Sequence, residues 1–157
     1  MKRIKYLIMD VDGTLTDGKL YFADSGELAK AFNIKDGYGI KNILPTHRII
    51  PVVITGRISD IVELRCKELG ILKVYQGIEN KFQIIKEFAK HLDCVAFICD
   101  DLNDYDCMNA IKKSGGIVGC PFDAVDDVKK ISDYISSRRG GDGAVRDFID
   151  WLITHQI

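Results

Sequence analysis

The chain has 157 residues, 46% of them hydrophobic, and its 22 Lys and Arg against 23 Asp and Glu leave a formal net charge of -1. That is apolar side chain enough for one domain over residues 1–157 with a substantial core and little room for a second, while the near balance of charge gives no field for nucleic acid or an anionic membrane, so any anion must be bound locally. The five cysteines, Cys66, Cys94, Cys99, Cys107 and Cys120, form an odd set with no C-x-x-C pair, unlike a disulfide framework or a zinc site, and read as reduced packing residues.

The opening MKRIKYLIMDVDG has a basic tip, but its apolar run is too short for a signal segment or a membrane span, so a cytoplasmic protein is expected. Short β-rich apolar runs recur at residues 4–9, 49–54, 73–75, 95–99 and 117–120, and segments of helical period lie between most of them, as at 58–69 and 81–91. This alternation predicts an α/β fold, a Rossmann-like doubly wound parallel sheet with helices on both faces. Residues 19–33 depart from it: LYF and LAKAF flank Asp24-Ser25-Gly26, a turn signal that predicts a β-hairpin projecting from the sheet. A last helix over 144–155 follows Gly140-Gly141-Asp142-Gly143, which is expected to be either a mobile or a specifically folded loop.

Sheets of this kind bind ligands at the carboxyl ends of their strands. There the first predicted strand runs into Asp10-Val11-Asp12-Gly13-Thr14, the second into Thr55-Gly56-Arg57 and the fourth into Asp100-Asp101, with Asp104 and Asp106 just beyond; Lys81 opens the helix between the third and fourth. Converging carboxylates repel one another, and a hard divalent cation is the usual remedy. Magnesium fits best, because the three histidines, His47, His91 and His155, are scattered without zinc spacing. Such an ion withdraws charge during phosphoryl transfer. Backbone N–H groups after Asp10 can cradle phosphoryl oxygens, Thr55 can add a hydroxyl donor, and Lys81 brings a fixed positive charge. Alone, Asp10 and Asp12 read equally as a polar strand end; Thr55, Lys81 and Asp100 following in order make the difference. Asp101 reads as readily as a helix N-cap, Asp104 as a group that orients its neighbours, and Asp106 as solvated helix surface.

DxDGT at Asp10 to Thr14, Thr55 in TGR, Lys81, and DDLND at Asp100 to Asp104 resemble, in this order, the four motifs of haloacid dehalogenase phosphatases. The resemblance implies that Asp10 attacks phosphorus to form an aspartyl-phosphate and that Asp12 protonates the leaving alcohol and then activates water. It also implies Mg2+ held by the Asp10 carboxylate, the Asp12 main-chain carbonyl and Asp100. Longer stretches, DGTLTDG, FNIKDGYGI, TGRISDIVELRCKELGI, YQGIENK and RRGGDGAVRDF, are similar over almost the whole chain to phosphatases of 3-deoxy-D-manno-octulosonate 8-phosphate, a capless branch that assembles as a homotetramer. That similarity implies substrate contacts at Asp12, Asn33, Ile34, Lys35, Asp36, Gly37, Lys41, Thr55, Gly56, Arg57, Arg65 and Lys81, with Arg57 and Arg65 the leading readers of a sugar-acid carboxylate. Related phosphatases of nine-carbon acids (keto-deoxy-nonulosonate or N-acylneuraminate 9-phosphate) have an acidic residue at the Arg57 position, so arginine here favours the eight-carbon substrate. Two residues depart from the family pattern: Cys99 stands in place of glycine and Thr14 in place of valine. Neither is expected to touch a catalytic group, although a side chain at 99 is expected to shift Asp100 slightly.

Spacing supports the absence of a cap independently. Residues 17–55 are filled by the hairpin and one short helix, and the interval from Thr55 to Lys81 holds no domain. Water exclusion then falls to a neighbouring subunit, so the hairpin is expected to build the interface, and Arg138, Arg139 and the glycines after them to form a flexible tail or a lid over a neighbour's site. A receiver-type phosphoacceptor domain, the rival of another class, also gathers aspartates, a threonine and a lysine, but it places lysine last, and a timed switch lacks the acid and base that Asp12 provides. A phosphomutase needs a cap to reorient its intermediate.

Overall fold

A computed structural model describes residues 3–156. In chain order its elements are β1 (Tyr6–Met9), β2 (Tyr21–Ala23), β3 (Gly26–Ala29), α1 (Ile34–Tyr38), α2 (Leu44–Thr46), β4 (Ile50–Ile54), α3 (Asp60–Leu69), β5 (Lys73–Tyr75), α4 (Lys81–Phe88), β6 (Val95–Ile98), α5 (Tyr105–Lys113), β7 (Ile117–Cys120), α6 (Asp126–Ile131), β8 (Tyr134–Ile135) and α7 (Ala144–Gln156). Six strands form one sheet in the order β5-β4-β1-β6-β7-β8, every neighbouring pair parallel.

Every residue of β1, β6 and β7 is buried, which is why they read as continuous apolar runs: a strand covered on both faces has no polar side to alternate with. The two-residue period persists in the packing. Leu7, Met9, Val53 and Ile98 join Leu44, Val62, Phe148 and Leu152 in one core layer under α2, α3 and α7. Ile8, Val52, Phe97 and Val118 point the other way, onto Ile85, Met108 and Val128 of α4, α5 and α6. Helices therefore cover both faces, and the winding reverses about β1, which places the carboxyl ends of β1, β4 and β6 side by side. Among the described residues no element forms a cap domain.

Three local features differ from expectation. The two-residue strand β8, too short to register as a period, extends the sheet beyond β7. Helix α4 stops at Phe88 rather than at residue 91, because Ala89 turns extended and a 3-10 turn over Leu92–Cys94 brings the chain back to β1, where the Lys5 N–H donates to the Cys94 carbonyl at 2.7 Å. The short helix after the hairpin is a bent run in which α1 and α2 are joined by a π-type turn over Gly39–Ile43.

In the hairpin β2 and β3 pair antiparallel, and Asp17 shapes its entry by accepting from the Lys19 N–H at 2.9 Å and the Tyr21 hydroxyl at 2.8 Å. The glycine-rich stretch before α7 is specifically folded against the chain's own turn after Asp10. The Gly141 N–H donates to the Thr14 carbonyl at 3.1 Å, the Gly140 N–H to Asp123 Oδ1 at 2.9 Å, and a Cβ on Gly140 would lie 1.9 Å from the Gly13 carbonyl oxygen. Gly140→Ala is therefore expected to cost about 1–3 kcal/mol by overpacking, read as a lower urea midpoint; a wild-type midpoint would show that the two loops part without cost.

Candidate active site

Asp10 follows the last residue of β1, Thr55 follows β4, Asp100 lies two residues past β6, and Lys81 is the first residue of α4. Asn80 caps α4, its Oδ1 accepting the Gln83 N–H at 3.2 Å, and so fixes where Lys81 leaves the helix. The Lys81 ammonium reaches Asp10 Oδ1 at 2.8 Å and Asp104 Oδ2 at 2.7 Å, with all three side chains almost wholly buried. Burial on its own would depress the Lys81 pKa; the carboxylates of Asp10 and Asp104 outweigh it and hold the pKa above the usual lysine value.

The turn after Asp10 depends on glycine. Gly13 has φ +85°, and a Cβ there would stand 1.9 Å from Asp100 Oδ2, so only glycine lets the chain pass this close to that carboxylate. The Gly13 N–H donates to Thr16 Oγ1 at 3.2 Å and is thus engaged in closing the turn rather than offered to a ligand. Thr14 was not expected to touch a catalytic group, yet its hydroxyl donates to Asp100 Oδ1 at 3.4 Å; valine could not make that bond. Cys99 points away from the cleft, its sulfur 3.6 Å from that of Met108 in the core.

Asp10, Asp12, Thr55, Gly56, Arg57, Asp100, Asp101 and Asn103 line a cleft of about 230 Å³. Arg57 stands with Nε 4.0 Å from Asp12 Oδ2 and its guanidinium over Phe22 of β2. Asp101 Oδ1 accepts the Leu102 N–H at 2.7 Å, the N-cap geometry, while Asp104 is the buried partner of Lys81 and Asp106 is exposed. The remaining predicted contacts are not gathered here. Asp36 is 2% exposed and accepts the Arg146 N–H at 2.8 Å at the start of α7. Gly37 is buried against Arg65, and Arg65 is paired with Glu68. Lys41 donates to the Glu68 carbonyl. Asn33 caps α1 through the Lys35 N–H and with Lys35 lines a separate cleft that includes Arg138 and Arg146. Ile34 is 83% exposed.

One charged residue at the site went unnoticed in the sequence. Lys30, just past β3, buries its side chain to 1% exposure and pairs with Asp12 Oδ1 at 2.6 Å and Glu27 Oε2 at 3.2 Å. A lysine in a hairpin is read as solvated by default, and only tertiary contact identifies the exception.

No protein-family model matches the chain. The 3-deoxy-D-manno-octulosonate 8-phosphate phosphatase of Salmonella typhi is 40% identical over 99% of this chain and 82% of its own. The structure of the 3-deoxy-D-manno-octulosonate 8-phosphate phosphatase from Moraxella catarrhalis, in complex with a magnesium ion, a phosphate ion and a KDO molecule, aligns with a TM-score of 0.89 at 35% identity, covering 99% of this chain and 88% of that one. The cobalt-bound form of the deoxy-D-mannose-octulosonate 8-phosphate phosphatase from Haemophilus influenzae aligns at 0.88 and 34%, covering 99% and 90%.

The donor set fits a hard divalent cation. Burial, then the charge of Asp10 and a hydrogen bond to it, push the Asp100 carboxyl up to about 8, and burial with Asp10 beside it pushes Asp104 to about 6 in spite of Lys81. One ammonium does not balance these carboxylates. No group of three or more His, Cys, Asp or Glu among the described residues is arranged as a metal cage, and Mg2+ needs none, since it binds through one or two carboxylates and retains water. Asp10 and Asp100, with the Asp12 main-chain carbonyl, are the residues that would hold it. Because the folded pKa of Asp100 is raised, the stability it contributes is full below about pH 4 and lost as pH rises through about 8. Calorimetry of the metal-free protein is expected to show Tm falling across that window and Mg2+ raising Tm more at pH 8.5 than at pH 6; a Tm insensitive to Mg2+ at both would exclude this metal site. Lys81→Met, which strands two buried carboxylates, is expected to cost about 3–5 kcal/mol in denaturant unfolding.

Proposed function

The chain belongs to the 3-deoxy-D-manno-octulosonate 8-phosphate phosphatases of the haloacid dehalogenase superfamily, and on that premise we propose that it hydrolyses 3-deoxy-D-manno-octulosonate 8-phosphate to the free sugar acid and inorganic phosphate. The observation that carries the proposal is the Lys81–Asp10 pair at the end of β1, set beside a cleft that also presents Asp12, Thr55 and Arg57.

Lys81 occupies Oδ1 of Asp10, which leaves Oδ2 to attack phosphorus as the bond to the sugar oxygen breaks. Asp12 gives its proton to the departing alkoxide. It then takes a proton from water, whose oxygen attacks the aspartyl-phosphate, releasing phosphate and regenerating Asp10. Bound Mg2+ supplies charge withdrawal from the phosphoryl oxygens. The Thr55 hydroxyl and the Lys81 ammonium are fixed donors for those oxygens, and Gly56 lines the same cleft. Arg57, with a half-exposed side chain at the cleft, reads the sugar-acid carboxylate as a bidentate donor.

The exposed Leu20, Tyr21 and Leu28 of the hairpin provide the apolar face for the homotetramer that belongs to this reading, with residues 1–157 acting as one domain. Across such an interface the outward residues Asn33, Ile34 and Lys35 reach a neighbour's cleft rather than their own. No helix among the described residues is long and apolar enough to cross a membrane, and the proposed place of action is the cytoplasm.

Phosphate release from a panel of sugar phosphates is expected to concentrate on the eight-carbon acid, to vanish in EDTA, and to vanish in Asp10→Asn with the fold retained; Mg2+-dependent turnover surviving in that variant would exclude Asp10 as nucleophile. Arg57→Ala should reduce kcat/KM on the sugar acid by about 10- to 100-fold, the loss of a charged hydrogen-bonding partner, and on p-nitrophenyl phosphate by much less. Equal losses on both would remove Arg57 as the reader of the carboxylate.

A further inference from the structure

The hairpin sends three side chains back into its own chain. Phe22 lies under the Arg57 guanidinium with 5.9 Å between Cζ and the ring centroid. Glu27 accepts a hydrogen bond from the Ser59 hydroxyl at 2.5 Å. Lys30 is the third, with its ammonium 2.6 Å from Asp12 Oδ1 and 3.2 Å from Glu27 Oε2. Glu27 therefore sits between two loops, tying the one that follows β4 through Ser59 and the one that follows β1 through Lys30 and Asp12. Ser59 stands at the N-cap of α3 without a side-chain cap bond; its hydroxyl serves Glu27 instead, although a capping serine is normally worth about 1 kcal/mol.

Asp12 is anchored in one direction by this arrangement. Its Oδ1 is occupied by a cation that is itself almost wholly buried, while Oδ2 is left on the side of Arg57, which lines the cleft with it. Its neighbours on both sides in the chain are buried, but the Asp12 carboxylate is 23% exposed, and a half-open aspartate with two rotatable bonds has no fixed direction without such a contact. We infer that Lys30 is a positioning residue for Asp12, holding its carboxylate so that one oxygen faces the leaving group and the attacking water, and that Glu27 couples this setting to the loop bearing Arg57. The inference rests on the phosphatase reading above. It makes the hairpin a part of the catalytic apparatus of its own chain, whatever else its outer face contacts.

Lys30→Met keeps the length and apolar stem of the side chain and removes the charge. On 3-deoxy-D-manno-octulosonate 8-phosphate the variant is expected to lose kcat by about 10- to 100-fold, the lower part of what acid–base catalysis contributes, with KM within about threefold of wild type. p-Nitrophenyl phosphate separates the two half-reactions, because its leaving group departs without a proton while hydrolysis of the aspartyl-phosphate still needs Asp12. Rapid mixing should therefore show a nitrophenolate burst equal to the enzyme concentration, followed by slow turnover. Lys30→Arg, which retains the charge but displaces it, is the second variant if Lys30→Met loses its fold, and the same kcat loss at unchanged KM is expected there, only smaller. Wild-type kcat in either folded variant, or a loss confined to KM, or a kcat loss without the burst, overturns the role of Lys30 while the phosphatase reading stands. Absence of Mg2+-dependent release by the wild-type protein overturns both.

Discussion

The constraint on which the site depends is the burial of Lys81 between two carboxylates. A lysine ammonium with 3% side-chain exposure is tolerable only because Asp10 and Asp104 each stand within hydrogen-bond distance. In return the lysine fixes the direction of Asp10, whose own backbone is pinned by the N–H bond to the Ile98 carbonyl. Three elements meet at this one charge: the end of β1, the first turn of α4, and the segment after β6. None of them can shift alone without leaving a buried charge uncompensated.

That single ammonium is outnumbered. Asp100 lies against Gly13 and Asp10, and its carboxyl is driven up to about 8 by burial first and by the charge of Asp10 second. A fold that gathers Asp10, Asp100 and Asp104 about the one ammonium of Lys81 is poised to accept a divalent ion, and also a phosphoryl group whose negative oxygens that ion and Lys81 then share. The same crowding explains the local sequence. Gly13 is glycine because a Cβ would collide with Asp100, Gly140 because one would collide with Gly13, and Thr14 places a hydroxyl where Asp100 accepts it.

The hairpin has two sides with different chemistry. Outward it shows Leu20, Tyr21 and Leu28 to solvent, an apolar surface of the kind that oligomers cover. Inward it presents Glu27 and Lys30 to Ser59 and Asp12. A capless phosphatase has no mobile domain to complete its acid–base geometry after substrate enters, so that geometry must be held by elements already in place.

Much of this was legible in the sequence alone, and for a definite reason: features that depend on neighbours along the chain are written in periods and spacings. The parallel strands, their burial on both faces, the hairpin turn at Asp24-Ser25-Gly26, and the positions of Asp10, Thr55, Lys81 and Asp100 at strand or helix ends all follow from local pattern. What only the tertiary structure decided are the pairings between distant segments. Lys30, an unremarkable hairpin lysine in sequence, is drawn under Asp12. Asp36 and Arg65, cleft candidates by resemblance, are turned toward α7 and Glu68. Gly140 and Gly141 pack on the chain's own turn after Asp10. Such outcomes depend on which charges are buried together and which backbone approaches which, and a desolvated contact across the fold leaves no period in the chain from which to read it.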